Sequence, residues 1–197
     1  FLMVLSLAIG SDRGDVLGVS FISFLSPGLI AMQVIQQSFS HSSSTFMIGK
    51  IQGNIVDLLY APLSAAEVTI SIALASATRS FMIAIISIIT FYFIVDIQIK
   101  YFFLLFLFTF LTSFILGNIG IISGLWAEKF DHQATITNFV IVPLSFLSGT
   151  FYSIERLPGF LKTISEVNPF FYMIDGFRYC FIGQDDGSIT FGIIYLI

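Results

Sequence analysis

The sequence predicts an all-α fold, a polytopic membrane helix bundle, and three observations lead there. Hydrophobic residues make up 56% of the 197 positions and charged residues 10%, with a mean hydropathy of +0.97, far from the composition of a soluble domain. The apolar residues gather into runs of bilayer length divided by short polar turns. Prolines and small residues recur inside those runs, where membrane helices tolerate them. The net charge of −4 comes without a basic run, so nothing points to nucleic acid. Cys180 is the only cysteine and cannot form an internal disulfide.

Residues 1–10 are expected to end a first spanning helix, and 11–15 to form a polar turn. Residues 19–39 form the second span, interrupted by Pro27 and Gly28. From Ser40 to Glu67 the chain is polar enough to leave the membrane. Within it, residues 46–59 are expected to form one loop helix. Its apolar positions Ile48, Ile51, Ile55 and Leu58 fall at i, i+3, i+7 and i+10, opposed by Lys50, Gln52, Asn54 and Asp57. That pattern suits a helix lying on the membrane or one docking into a partner's groove.

Ala61-Pro62-Leu63 breaks the helix, and Ser64 with Glu67 forms a capping-box pattern that starts the third span near Ala65, running to about Val95. Arg79 inside this span is either an anchor that snorkels to the nearer interface or a functional ion pair or substrate contact. The fourth span covers 101–126 and sets Gly117, Gly120 and Gly124 on one face, a packing surface. Glu128, Lys129, Asp131 and His132 form a solvated turn, since a metal centre needs a second ligand cluster and His41 is the only other histidine.

The fifth span is expected at 134–154, with Pro143, Ser145 and Ser148 inside it. Two short amphipathic pieces of about 10 residues each follow, too short to cross a bilayer and suited to re-entrant or interfacial helices. In the first, after Pro158, the residues Phe160, Leu161, Ile164 and Val167 share a face while Lys162, Ser165 and Glu166 point away. Asn168 fits an N-cap and Pro169 the first helical position of the second piece, whose Asp175 and Arg178 stand at pairing distance along the helix. Phe160, Leu161, Phe170 and Phe171 are expected to dip into the membrane or onto the tops of the spans. Residues 189–197 open a last span, so the first and last spans are expected to be truncated.

The runs WAEKFDHQATITNFVIVPLSFLSGTFYSIERLP and NPFFYMIDGFRY closely resemble the second half of ABC-2 type transport permeases, the membrane subunits of ATP-driven exporters. The resemblance extends back through SPGLIAMQVIQQSF and KIQGNIVDLLYAPLSAAE and so covers nearly the whole chain. It implies a single transmembrane domain over 1–197, six spans, and re-entrant or interfacial helices between spans five and six. It makes the loop helix, with Ile48, Lys50, Ile51, Ile55, Asp57 and Leu58, the coupling helix that contacts an ATP-binding subunit. It makes Pro158, Phe160, Asn168, Pro169, Phe170, Asp175 and Arg178 part of an outer element that helps gate the exit.

It also implies an inner-membrane location, membrane lipid as surroundings, and a second permease copy as partner. No G-x-x-x-x-G-K-[ST] phosphate loop occurs in the sequence. ATP and Mg are therefore expected on the partner subunit, with no cofactor, metal or catalytic residue in this chain. A membrane-embedded enzyme using Asp131 and His132, or Asp175 and Arg178, and a scaffold without transport are the rival classes. The family topology places Lys50 and Lys129 inside but Arg13, Lys100, Arg156, Lys162 and Arg178 outside, against the usual bias of cytoplasmic loops towards Lys and Arg.

Overall fold

Ser20 opens the first helix by accepting the Ser23 N–H, and nothing between Phe21 and Gln52 stops it. This computed structural model describes residues 16, 18–95, 98–154, 158–184 and 187–196, and among them every regular element is a helix. The expected first-span residues 1–10 and the turn 11–15 lie outside the described residues.

Helix α1 (Phe21–Gln52) is longer than the expected span 19–39, because its polar second half is packed into the bundle as part of the same helix. Thr45 Oγ1 donates to the His41 carbonyl at 2.8 Å, while Ser42 and Ser43 are small enough to be buried against Gly120 and Gly124 without a hydrogen bond from their hydroxyls among the described residues. Pro27 does not break α1 either. It removes one backbone donor, and beside it the Ser26 hydroxyl donates to the Ile22 carbonyl at 2.7 Å. A short helix α2 (Ile55–Tyr60) follows.

Helix α3 (Ala65–Tyr92) begins at the expected capping box: the Ser64 N–H donates to Glu67 Oε2 at 2.8 Å and the Glu67 N–H to Ser64 Oγ at 3.3 Å. Helix α4 (Phe102–Trp126) runs back along it. Both are long and apolar enough to cross a membrane.

The fifth span is not the continuous 134–154 helix of the sequence reading. Helix α5 (Phe130–Ile136) widens into a π-helical turn (Thr137–Ile141) and resumes as α6 (Val142–Phe146). Pro143 accounts for the widening: it has no N–H to donate and its ring crowds the preceding turn, and the Val142 N–H reaches five residues back to the Thr137 carbonyl. The helix then ends at Phe146, and Gly149 takes a left-handed φ of 71° that a side chain would resist.

Helix α7 (Gly159–Val167) and helix α8 (Pro169–Ile182) follow, then α9 (Ile189–Leu196) where the last span is expected. Helix α8 departs most from expectation. It has 14 residues and is a core element rather than an interfacial one, with Phe170, Phe171, Ile174 and Phe177 buried.

Helix α1 is the centre of the packing: α4 lies along most of it, with α3 and α8 on its other sides. The predicted glycine face is the seam. A Cβ on Gly120 would sit 2.5 Å from the Phe39 carbonyl oxygen, and one on Gly124 would sit 2.7 Å from that of Ser43. The two backbones therefore approach to a distance only glycine permits. At the other end of the bundle, Gly176 of α8 lies against the Phe108 ring of α4, and Phe24, Phe108 and Phe177 fill the core there.

Candidate functional site

The end of the bundle where α1 and α4 finish carries the expected coupling residues, but on two helices rather than one. Gly53 stops α1 with φ of 77° and donates its N–H to the Lys50 carbonyl, so Ile48, Lys50 and Ile51 belong to the last turns of α1. Ile55, Asp57 and Leu58 belong to α2. The shared face of the sequence reading is split by this glycine. Ile51 (56% exposed) and Tyr60 (86%) stand out into the surroundings with Ile48 and Val56, while Ile55 and Leu58 are half-buried.

Lys50 does not lie on an outward polar face. Its ammonium donates to the carbonyls of Gly124 (2.9 Å), Leu125 and Ala127 (3.0 Å). Those carbonyls belong to the last turn of α4, where the helix leaves oxygens unpaired and its dipole favours a cation. Lys50 thus ties the end of α1 to the end of α4. Beside it, Gln133 Nε2 of α5 donates to Ser44 Oγ of α1 at 2.9 Å, so three helices are joined at this end.

Of the expected turn only Glu128 and Lys129 lie between helices, because the chain is already helical from Phe130; Asp131 and His132 are in the first turn of α5, with the His132 ring 5.7 Å from that of Trp126. Among the described residues, no three His, Cys, Asp or Glu side chains come together to hold a metal ion.

At the opposite end, α7 and α8 are bound into the frayed end of α6. Asn168 caps α8 as expected, its Oδ1 accepting the Phe170 N–H at 3.0 Å, with Pro169 in the first turn. The sequence did not reveal its other half: Asn168 Nδ2 donates to the Leu144 carbonyl at 2.8 Å and to Ser148 Oγ at 2.9 Å. Ser165, expected to point away, is buried and donates to the Leu147 carbonyl at 2.8 Å, because the end of α6 leaves that oxygen unpaired. Phe170 and Phe171 are buried in the bundle, whereas Phe160 is 78% exposed and Leu161 partly so. Pro158 is exposed at the start of α7, and Lys162 faces Glu166 at 3.9 Å on its surface.

Asp175 and Arg178 are both buried, and the contacts described for them lead in different directions. Asp175 Oδ2 accepts the Gly187 N–H at 3.0 Å. Arg178 Nη2 donates to the Gly149 carbonyl at 2.6 Å, with the guanidinium 3.9 Å above the Phe24 ring. One arginine therefore joins α8, the turn after α6 and α1. Lys100, one of the cations that the family topology places outside, closes the same end: its ammonium donates to the Ile182 carbonyl, and its N–H to that of Cys180 at 2.9 Å. Nothing local to Lys100 signals this, since its partner lies more than eighty positions away.

Between the two ends, α1 and α3 meet through polar pairs. Gln33 Oε1 accepts from Ser87 Oγ at 3.0 Å, Ser38 and Ser80 share a bond of 2.6 Å, and Arg79 Nη1 lies 3.2 Å from His41 Nδ1. A groove of about 400 Å³ opens beside Gln33 and Gln36, walled by Phe91, Phe146 and Phe151.

A profile of the ABC-2 type transporter family matches residues 2–182. The chain is 35% identical to the inner membrane transport permease YadH of Escherichia coli K12 over 94% of this chain and 73% of that protein. It is 24% identical to nodulation protein J of Neorhizobium galegae over 96% of this chain and 73% of that one. Helices long and apolar enough to cross a membrane, packed on a glycine seam and matched by this profile over nearly their whole length, place the chain in the ABC-2 type transporter family as a membrane permease.

Proposed function

We propose that the chain is the permease subunit of an ATP-driven exporter in a bacterial inner membrane, forming the substrate path and taking its energy from a separate ATP-binding subunit. That partner holds the ATP and Mg, and this chain breaks no covalent bond in its cargo. The full assembly has six spans per permease, a second permease copy and two ATP-binding subunits, with α7 and α8 as the outer re-entrant element. YadH, by its name an inner membrane transport permease, supports the location and the transport role.

The observation that carries the coupling is the outward apolar end of α1 and α2 together with the Lys50 tie to α4. Ile48, Ile51, Val56 and Tyr60 offer a partner an apolar surface, and a push there reaches α4 and α5 through bonds rather than through a loose loop. The groove beside Gln33 and Gln36 then belongs to the path that opens when helices rock against each other.

The test is Ile51→Asp and Ile55→Asp in the permease co-purified with its ATP-binding subunit. Each should lower transport at least tenfold while membrane insertion is unchanged, because an unpaired carboxylate cannot enter an apolar interface cheaply. Substrate-stimulated ATP hydrolysis coupled normally to transport in both variants would sink the coupling assignment.

A further inference from the structure

We propose that the π-helical turn Thr137–Ile141 is a joint of the fifth span, where α5 bends against α6 so that each half moves with a different part of the molecule. The two halves are fastened separately. Gln133 holds α5: it is buried, and its Nε2 donates to Ser44 Oγ at 2.9 Å, at the end of α1 that carries Lys50. The α6 half is fastened at the opposite end, where the Leu144 carbonyl accepts from Asn168 Nδ2 at 2.8 Å and the Leu147 carbonyl from Ser165 Oγ at 2.8 Å. Between these fastenings no residue from Ala134 to Val140 is buried, and burial resumes only at Ile141. The widened turn therefore falls where the bundle grips the span least.

The turn is also one that cannot tighten. An α-helix would pair the Val142 N–H with the Asn138 carbonyl, but here it reaches Thr137, so the turn holds one residue more than an α turn. Closing it would press the Pro143 ring onto the Phe139 carbonyl, four residues back, with no N–H gained. A turn that neighbours do not clamp and that cannot close is the softest point of the span. Bending it does not leave the flanking carbonyls bare in lipid, where an unpaired one is strongly disfavoured. On one side Thr137 Oγ1 donates to the Gln133 carbonyl at 2.9 Å, and on the other Ser145 Oγ donates to that of Ile141 at 2.7 Å. Both carbonyls keep a donor when the backbone bond beside them lengthens. A displacement at the α1 end thus swings α5 without levering α6 off Asn168, and this holds whether or not an ATP-binding subunit supplies the displacement.

The test compares the parent with a straightened variant in which Phe139 is deleted and Pro143→Ala is made. Removing one residue returns the turn to α geometry while α5 and α6 keep their faces, and Phe139 is 77% exposed, so little packing is lost. Spin labels on Asp131→Cys and Leu147→Cys, both at exposed positions and about 24 Å apart along a straight helix, report the bend by pulsed electron resonance. The full chain is measured in nanodiscs, diluted with unlabelled protein so that only distances within one chain are read, and the buried Cys180 stays unlabelled. The parent should give a distance distribution at least twice as wide as that of the straightened variant, which should show one narrow distance. Equal widths overturn the joint. If the deletion does not fold, Pro143→Ala alone is compared, because it removes the obstacle to closing the turn. A width unchanged from the parent's there overturns the joint as well.

Discussion

Asn168 shows how much one side chain can hold: its oxygen caps α8 while its amide bonds the end of α6. Asn168→Ala should lower stability by about 2 kcal/mol, roughly 1 from the cap and 1 from the lost bonds. Unfolding in detergent measures it, and a midpoint equal to that of the parent protein refutes the bridging role. Asn168→Asp should also be destabilising, although Asp caps helices as well as Asn does, because it keeps the acceptor but loses both donors. Arg178 and Lys100 make a related point about charge. Both count as outer cations in the sequence, yet Arg178 is buried across Gly149 and Phe24, and Lys100 caps α8. Their positions are set by packing, so neither measures a loop's charge bias, and the same holds for Lys50, tied to α4 at the other end of the bundle. Arg13 and Arg156 lie outside the described residues.

At the scale of elements, the seam between α1 and α4 and the tie at its end set how force is passed on. Gly120→Val would drive a side chain into the Phe39 carbonyl 2.5 Å from the added Cβ, and backbone cannot step aside as a flexible side chain can. A loss of about 3 kcal/mol is expected in unfolding measurements. By contrast, a Cβ on Gly159 meets nothing within 4 Å, so Gly159→Ala should be neutral or raise stability by up to about 1 kcal/mol. If the two variants unfold alike, the glycine seam is not what joins these helices. Lys50→Met keeps the aliphatic stem and removes the ammonium from the last carbonyls of α4. It should cost about 1 kcal/mol and speed hydrogen exchange at the end of α4. Unchanged exchange there would show that the tie does not restrain α4.

For the whole molecule, the described helices leave large apolar side chains exposed on several faces, among them Phe103, Phe139 and Phe191, which lipid or a second copy can cover. Cross-linking of the protein in lipid should capture a permease pair, and full transport from a single copy in a nanodisc would exclude one. Orientation has a direct test, because the native Cys180 is buried and silent to aqueous reagents. Cysteines placed at Lys162 and Glu166, on the exposed side of α7, should react with an impermeant maleimide from outside the cell. Reaction only from the cytoplasmic side would reverse the topology and remove α7 and α8 from the exit.

The sequence by itself determined the class of the molecule, the starts of α3 and α8, the glycine seam and the family. Each of these is written in local terms: runs of apolar residues, a Ser64 and Glu67 box, an Asn168-Pro169 cap, and glycines three and four apart. Only the tertiary structure decided where α1 ends, how the fifth span breaks, that α8 lies in the core, and what Lys50, Lys100 and Arg178 hold. Polar residues at 40–52 look like a departure from the membrane until α4 and α5 supply partners for Lys50 and Ser44 and the glycine face covers Ser42 and Ser43. Amphipathic spacing likewise cannot distinguish a helix on a surface from one enclosed by three others, and the Lys50, Lys100 and Arg178 bonds reach across dozens of positions to carbonyls that any sequence could present. The physical reason is common to all: a side chain's charge and period are local, but which unpaired carbonyl or apolar face satisfies it depends on the neighbour that packing brings there.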